Sequence, residues 1–401
     1  MCRALLPLLC AVPVAAGAQS LSVQGFVEMR AVSGAKQTAW LGGGLGKTRF
    51  GHGDGGVRGA GGLSLAWQAT PSFLASASAQ YVPGLHKPLD LVDATLRYRP
   101  ASTTPTRWTT TAGMFFPPIS LENDGVAWTS PWTLTPSAVN SWVGEELRVF
   151  GAELRVERRT ERGSFDLRAA LFGRNDPAGE LLASRGWALG DATSGLDASV
   201  RQPDTYAALV GDAVPMRFRP FAEIDHRAGW YAAAGWENGD DRARLLYYDN
   251  RTDPSREVDY RGRELYGWHT RFWSAGAQHR SGHWWWLGQA MTGKTRIAPE
   301  SGVFDTGFSA GYLLAAIDVG DWQPVARVDL FNAAHRFNGR RGMLGEHGHA
   351  ITLALNWRPA ERVRVTAEVL RIDSERDQRR LAGLAPRQTD TQLQLAVRLF
   401  R

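Results

Sequence analysis

Residues 391–401, TQLQLAVRLFR, alternate apolar and polar side chains with a period of two. Successive side chains of a β-strand point to opposite faces, so this stretch predicts a strand with one apolar and one polar face. Such strands fit either a soluble sandwich or a barrel whose apolar face meets lipid. The same alternation recurs through the chain and predicts an all-β protein. Clear examples are residues 92–99, 150–157, 165–171, 326–330, 351–357 and 363–369.

The connections between the predicted strands fall into two length classes that alternate along most of the chain. The short ones are residues 69–71, 159–163, 238–241, 281–282, 320–321 and 358–361, and the long ones are residues 31–56, 116–146, 174–228, 251–263, 332–346 and 374–387. This rhythm is typical of bacterial outer-membrane barrels, which have short periplasmic turns and long external loops. A soluble sandwich has no physical reason for such regularity.

Sixteen strands are predicted between these connections. Their starts lie near Leu21, Val57, Phe73, Asp90, Arg107, Arg148, Ser164, Gly229, Arg242, Glu264, Trp284, Phe304, Gln323, His347, Arg362 and Thr389. Many of the strands reach the roughly 9–11 residues that a tilted strand needs to cross lipid, and an even number leaves both chain ends on the periplasmic side. We therefore expect a closed antiparallel transmembrane β-barrel, wide enough for an aqueous channel.

The N-terminal residues have the pattern of a secretory signal peptide. Arg3 precedes an apolar run and the small residues 16–18, after which cleavage is expected. The predicted domains are therefore a signal peptide at 1–18 and one outer-membrane β-barrel at 19–401. Both cysteines lie within the first ten residues, so no disulfide is expected in the exported chain.

The segment 115–146, FFPPISLENDGVAWTSPWTLTPSAVNSWVGEE, follows the fifth predicted strand. It contains three Trp, four Pro and the acids Glu122, Asp124, Glu145 and Glu146. A merely solvated loop has no need of three Trp, and long ordered loops are commonly functional. We expect this loop to fold into the lumen and to narrow the pore, with the four carboxylates at the constriction. The alternative is an ordered external loop, or a capping plug, in which the Trp side chains serve packing.

Arginines on the polar faces of the predicted strands are candidate residues of the lumen wall. They are Arg97, Arg99, Arg155, Arg168, Arg327, Arg364 and Arg398. Arg stays charged and presents a planar fork to carboxylate or phosphate, so a series of arginines could favour anions. Acids are closely interleaved with them, and a neutral network of ion pairs on the wall is an equally open interpretation.

Other functions find little support in the sequence. The 46 basic residues are spread through alternating strands and do not form the single patch of a nucleic-acid-binding module, so no nucleic-acid partner is expected. His335, His347 and His349 lie in or beside a predicted loop without cysteine or a fixed carboxylate spacing, and no metal is expected. Residues 46–48, Gly-Lys-Thr, lack the first glycine of a phosphate-binding loop, and no nucleophile elbow is present. We expect no catalytic residues, no enzyme activity and no cofactor.

The chain resembles the sixteen-stranded bacterial outer-membrane porins over nearly all of its exported length. The resemblance lies in the signal, the alternation, the rhythm of turns and loops, and the segment GMFFPPISLENDGVAWTSPWTLTPSAVNSWVGEE after strand five. The Gly-Met-Phe-Phe-Pro-Pro run at 113–118 is also similar to the phosphate-selective porins. The resemblance implies passive diffusion of small hydrophilic solutes and often a homotrimer. One departure is that Arg401 follows Phe400, whereas porins commonly end on an aromatic residue.

The sequence therefore predicts a passive channel in the bacterial outer membrane, in contact with membrane lipid and lipopolysaccharide. Small hydrophilic solutes, with anions as one candidate class, would be selected by pore size and by charge at the loop constriction. One alternative is an outer-membrane barrel that is an enzyme or is plugged and non-conducting. A second alternative is a secreted, soluble all-β binding protein.

Overall fold

The structure is a computed structural model that describes residues 20–211 and 214–401. The predicted signal peptide, residues 1–18, lies outside the described residues. Sixteen strands form the barrel. They are β1 Ser20–Ser33, β2 Gly56–Thr70, β3 Phe73–Tyr81, β4 Leu89–Tyr98, β5 Thr106–Phe115, β6 Val149–Thr160, β7 Gly163–Gly173, β8 Gly229–Asn238, β9 Asp241–Asp249, β10 His269–Ser281, β11 Trp284–Ile297, β12 Phe304–Ile317, β13 Trp322–Phe337, β14 Glu346–Ala360, β15 Val363–Arg376 and β16 Arg387–Phe400.

The barrel is closed because its last strand pairs with its first. β16 lies antiparallel to β1, with Phe400 opposite Phe26 and Leu393 opposite Ser33. Each remaining barrel strand pairs with its two neighbours in sequence. Closure leaves no free strand edge, which β-structure requires in lipid. The predicted fold, a closed antiparallel barrel of sixteen strands, is confirmed.

The predicted strand starts lie within two residues of the observed ones, with one exception. The tenth barrel strand begins at His269 and not near Glu264. The short strand Glu264–Tyr266 pairs instead with Glu257–Asp259, outside the barrel sheet. The apolar residue between Glu264 and Tyr266 is buried among loop residues, so its alternation belongs to an external hairpin.

The longest connections carry the helices. Residues 116–148 contain α1 Ala138–Glu146, and residues 174–228 contain α2 Glu180–Ser184 and α3 Asp204–Val210. Short 3-10 turns lie at Trp40–Gly42, Val126–Trp128 and Asp377–Ala382. A small strand pair joins Val200–Arg201 to Arg217–Phe218, and Arg340–Arg341 pairs antiparallel with the end of β13. Within the two described ranges, every helix is too short or too polar to cross a membrane.

The side chains of β16 show how the alternation is used. Leu393, Leu395 and Leu399 are about half exposed on the outer surface, at 48%, 52% and 49%. Gln392 and Arg398 point into the barrel and are 1% and 6% exposed. The apolar face therefore points away from the barrel axis and the polar face towards it.

Aromatic side chains form a belt on the outer surface near the short turns. Its exposed tryptophans are Trp67, Trp108, Trp284, Trp286, Trp322 and Trp357. Trp322 stacks on Trp357 with ring centroids 5.5 Å apart. A second aromatic group, Trp230, Tyr247 and Trp273, lies near the long loops. Two such levels are typical of the aromatic girdles at the two surfaces of a bilayer.

The largest buried apolar cluster lies inside the barrel. Val139, Trp142 and Val143 of α1 pack there against apolar side chains that point inwards from every strand between β7 and β15. The residues that these nine strands contribute are Ala170, Phe172, Tyr231, Ala233, Leu246, Tyr248, Phe272, Met291, Phe308, Ala310, Phe331, Ala333, Ala350, Leu370 and Ile372. At this height the loops fill much of the interior.

Candidate functional site

The loop between β5 and β6, residues 116–148, runs across the barrel interior. Gln289 on β11 donates to Ile119 O at 2.8 Å, and Ser64 on β2 accepts from Ala127 N at 3.0 Å. Further bonds join Leu121 O to Arg242 of β9, Pro131 O to Arg364 of β15 and Trp132 O to Asn356 of β14. The loop is thus attached to the wall on several sides of the lumen.

The loop meets the β2 wall at a glycine. A Cβ added at Gly62 would lie 2.5 Å from the Phe26 ring and 3.0 Å from Ala127 Cβ, so a larger residue would displace the Phe26 ring of β1 and crowd the loop. Ala127 and Trp128 have φ of 52° and 61°, a left-handed conformation that costs free energy in residues other than Gly. Gln80 of β3 donates to Ala127 O and helps to hold this turn.

Three carboxylates accept hydrogen bonds from backbone amides that lead into α1. The pairs are Glu368 with Leu134 N (2.6 Å) and Thr135 N (3.2 Å), Glu122 with Ser137 N (2.9 Å), and Asp329 with Ala138 N (3.0 Å). The first amides of a helix lack partners within the helix, and their dipoles favour negative charge. The start of α1 is therefore fixed to β13, to β15 and to its own loop.

Arg327 of β13 supplies the cation of this carboxylate group. Its guanidinium lies 2.7 Å from Glu122 Oε1 and 2.8 Å from Asp329 Oδ2, and it donates to Thr135 O at 2.8 Å. The three charged side chains are fully buried. An uncompensated charge is costly in a buried environment. The position of the loop in which Arg327, Glu122 and Asp329 are all paired is therefore stabilised.

The C-terminal end of α1 meets α2 of the next long loop. Glu145 pairs with Arg185, and Glu146 accepts a hydrogen bond from Leu181 N at 3.0 Å. Burial raises the pKa of Glu146 to about 7. Burial, together with the nearby Glu146 carboxylate, raises the pKa of Glu180 to about 8. This junction is a buried acidic group beside one arginine.

The inward faces of β4, β6 and β7 remain partly accessible. Arg97 is exposed, and the side chains of Arg155 and Arg168 are 25% and 14% exposed. Asp166 lies 3.0 Å from Arg155 and 2.7 Å from Arg168. Arginines and acids therefore alternate on this part of the wall.

The four carboxylates predicted for the constriction lie in two environments. Asp124 is 45% exposed and pairs with Arg242 of β9 at 2.7 Å, beside a cavity of about 310 Å³ near the short turns. Glu122, Glu145 and Glu146 are buried in the contacts described above. Asp124 thus faces accessible space, whereas the other three acids hold the loop in place.

The seven arginines predicted for the lumen wall also lie in different environments. Arg327, Arg364 and Arg398 are buried beneath loop residues, and Arg97, Arg155 and Arg168 lie on the accessible wall. Arg99 lies beyond the last residue of β4, in an exposed turn, and so is not a strand residue. The strand prediction for Arg99 extended the alternation one residue past Tyr98.

Sequence reasoning assigned no candidate residue to the loop between β7 and β8. Residues 178–190 of that loop are buried in the structure, and Leu182, Trp187 and Leu189 belong to the apolar cluster inside the barrel. The available signal was the apolar run at 181–183 followed by Trp187. Because these side chains need an apolar partner, they pack against α1.

Three acids of the external loops are close enough to hold a cation. Carboxylate oxygens of Asp176, Glu223 and Asp225 lie within 4.8 Å of one another. Asp176 accepts hydrogen bonds from Ile224 N and Thr252 Oγ1, and Glu223 accepts one from a backbone amide. These bonds join the β7–β8 loop to the β9–β10 loop. This structural role accounts for the three acids without a bound cation.

Comparison with solved structures places the fold among outer-membrane channels and porins. The chain is similar to the outer-membrane channel DcaP of Acinetobacter baumannii (TM-score 0.57, 9% identity, 96% of this chain and 99% of that chain covered). It is also similar to OprB of Pseudomonas putida (0.53, 10%, 96% and 94%) and to a trimer form of OmpT, an outer-membrane protein of Vibrio cholerae (0.53, 8%, 96% and 100%). No family model and no curated protein sequence matches the chain. At these identities the likeness shows the fold alone, a sixteen-stranded porin-like barrel.

Proposed function

We propose that the chain is a passive channel of the bacterial outer membrane for small hydrophilic solutes. The observation that carries this proposal is the division of the barrel into an exposed apolar outer face and a polar inner face, seen most plainly in β16. Hydrocarbon satisfies the first face and a wet lumen the second. Transport by diffusion needs no covalent chemistry, and we propose no enzymatic activity.

The proposed route follows the wall of β4, β6 and β7, where Arg97, Arg155 and Arg168 remain accessible. Nearer the long loops, α1 and residues 178–190 pack closely inside the barrel. Conduction would therefore depend on movement of these loops, and the channel would be gated.

We propose only weak charge selectivity. On the accessible wall Arg155 pairs with Asp166 and Glu157, Arg168 pairs with Asp166, and Arg242 pairs with Asp124. Such pairs reduce the net field that a passing ion meets. A preference for anions, and the likeness to phosphate-selective porins, remain hypotheses that the ratio of anion to cation permeability would decide.

A plugged, non-conducting barrel is the second candidate, and the packing of Trp142 against Trp187, Phe272 and Phe308 favours it. Planar bilayers containing the purified protein separate the two functions. Discrete current steps would support the channel. Absence of current, with insertion verified by protease protection, would support the plugged barrel.

The membrane location has its own test. Because the exported chain is expected to lack cysteine, single fluorophores can be attached at Leu96→Cys, which is 52% exposed on the outer face of β4, and at its exposed inward neighbour Arg97→Cys. We expect brominated lipids to quench the first label and not the second. Equal quenching at the two positions, or recovery of the protein in the soluble fraction, would favour a secreted soluble protein.

We also propose that the protein assembles as a homotrimer in contact with lipid and lipopolysaccharide. Support comes from the fold shared with the trimer form of OmpT. Chemical cross-linking in native outer membranes should give a species of three copies; monomers alone would contradict the assembly.

A further inference from the structure

A small cavity lies inside the barrel between the wall and two loops. Its volume is about 30 Å³, and its lining includes Arg30 of β1, Arg398 of β16, and Arg49 and Asp191 of the loops. Thr129 and Ser130 close it from the side of the β5–β6 loop. The cavity is thus bounded by three guanidinium groups.

The ion pairs around this cavity leave an excess of positive charge. Glu28 lies 2.5 Å from Arg30 and 2.7 Å from Arg398, and Asp191 lies 2.9 Å from Arg30 and 2.5 Å from Arg49. Three cations therefore share two carboxylates. The side chains of all three arginines are at least nine-tenths buried.

A fourth arginine increases the imbalance. Arg364 of β15 is 6% exposed and lies opposite Arg398 in the pairing of β15 with β16. Among the described residues its direct polar contact is with Pro131 O at 2.8 Å. A local excess of two positive charges follows if Arg364 is counted with the other three.

A further acid, Glu368, is linked to this group but is occupied elsewhere. Glu368 reaches this group through Gln394, which accepts from Arg30 Nη1 at 3.0 Å and donates to Glu368 at 2.9 Å. The Glu368 carboxylate itself accepts the amides of Leu134 and Thr135. It does not touch the arginines that surround the cavity.

One donor in the cavity lining also lacks a partner. Arg49 is 3% exposed, and its Nε is buried without a hydrogen bond among the described residues. Its Nη2 donates to Pro83 O at 2.7 Å, so the side chain is held in place. A buried N–H group without an acceptor is costly, so an acceptor bound in the cavity would stabilise Arg49 Nε.

We propose that this cavity binds a monoatomic anion, chloride under ordinary conditions, which neutralises the arginine group and joins the two loops to the barrel wall. A water molecule needs about 10–15 Å³ of such space, so the cavity has room for one ion of this kind and none for phosphate or gluconate. The proposal does not depend on whether the barrel conducts, because the ion stays bound in the folded protein.

The test compares thermal unfolding of the purified protein in sodium chloride and in sodium gluconate at equal ionic strength. A ligand that binds the folded state alone raises the Tm with its concentration, and we expect chloride to raise it by roughly 2 °C or more, with saturation. Sodium phosphate should raise the Tm only in the non-saturating way of a salt that is excluded from the protein surface. An equal Tm in chloride and gluconate would overturn the proposal, and a saturating effect of phosphate would overturn the assignment of a monoatomic ion.

Two matched variants locate the effect. Arg49→Met removes the donor without a partner and should reduce the chloride effect to less than half. Arg380→Met changes an arginine that is 64% exposed on another loop and should leave the effect unchanged. An undiminished chloride effect in Arg49→Met would contradict the site.

Crystals of the wild-type protein grown in bromide give a direct measurement that needs no variant. An anomalous peak among Arg30, Arg49 and Arg398 is expected. A cavity without that peak would overturn the proposal.

Discussion

Arg327 and Glu122 form an ion pair 2.7 Å long in which neither side chain has exposed surface. The two residues are 205 positions apart in the sequence, one on the barrel wall and one on the loop that crosses the lumen. Asp329 and Glu368 complete the group by accepting amides at the start of α1. This ion pair is where the barrel fixes the position of its internal loop.

Arg327→Met should destabilise the protein by about 3–5 kcal/mol, because Glu122 and Asp329 would stay buried without their cation. The measurement is the free energy of unfolding in urea. Arg341→Met, at a side chain that is 86% exposed, is the matched control and should change it little. Similar losses in the two variants would mean that the buried pair does not stabilise the loop.

Trp142→Ala should loosen the loop from the wall. Trp142 contacts the rings of Trp187, Phe272 and Phe308 at centroid distances of 5.8, 5.7 and 5.2 Å, and removal of a buried Trp side chain costs about 3–5 kcal/mol. We expect larger or more frequent current steps in planar bilayers. Trp322→Ala, on the outer aromatic belt, is the control for loss of a Trp and should conduct like the wild type. If hydrogen exchange shows a loosened loop in Trp142→Ala and no current appears, the barrel does not conduct.

Asp124→Asn should raise the permeability to anions relative to cations. Asp124 is the predicted constriction acid with substantial exposure, and its loss would leave Arg242 without its 2.7 Å partner. The reversal potential across a salt gradient measures this ratio. Glu375→Gln, half exposed on the outer face of β15, is the charge-matched control. An unchanged ratio in Asp124→Asn would remove Asp124 from the solute path.

The junction of α1 and α2 should weaken as the pH rises. Burial raises the pKa of Glu146 from 4.5 to about 7, and burial and Glu146 raise that of Glu180 from 4.5 to about 8. The neutral carboxyls therefore stabilise the folded loops fully below about pH 4.5, and this contribution is lost as the pH passes through 7 and 8. Glu145, whose pKa burial also raises, acts in the same direction, while Arg185 opposes it.

Hydrogen exchange of residues 138–147 and 180–187, corrected for the intrinsic rate, measures this effect. Protection should fall between pH 5 and pH 8 in the wild type. It should fall less in the double variant Glu146→Gln, Glu180→Gln, whose side chains cannot ionise. A flat pH profile in the wild type would show that these carboxyls are not protonated in the folded state.

The barrel strands could be predicted because their signal is local. Alternation alone assigns Leu395 to the outer face of its strand and Gln394 to the inner face. Closure of the barrel follows because strands in lipid cannot leave a free edge. The error at Glu264 arose where a loop strand shows the same short alternation as a barrel strand. Neither the alternation nor the length of such a segment distinguishes a loop strand from a barrel strand before the partner strand is known.

The candidate site could be predicted only in part. The three Trp residues of segment 115–146 indicated a packed loop, and its acids were recognised as candidates. The environments of these acids could not be predicted. The burial of Glu122 depends on Arg327, and the burial of Glu146 depends on the Leu181 amide of another loop. Such contacts carry no periodic signal in the sequence.

The sequence by itself determined the sixteen strands, their inner and outer faces and the alternation of turns with loops, because each of these depends on neighbouring residues and on the solvent each face meets. The tertiary structure alone decided that two long loops pack inside part of the barrel, that Asp124 stays accessible while Glu122 is buried, and that three arginines line one small cavity. Those outcomes depend on side chains that lie far apart in the chain and become neighbours when the barrel closes.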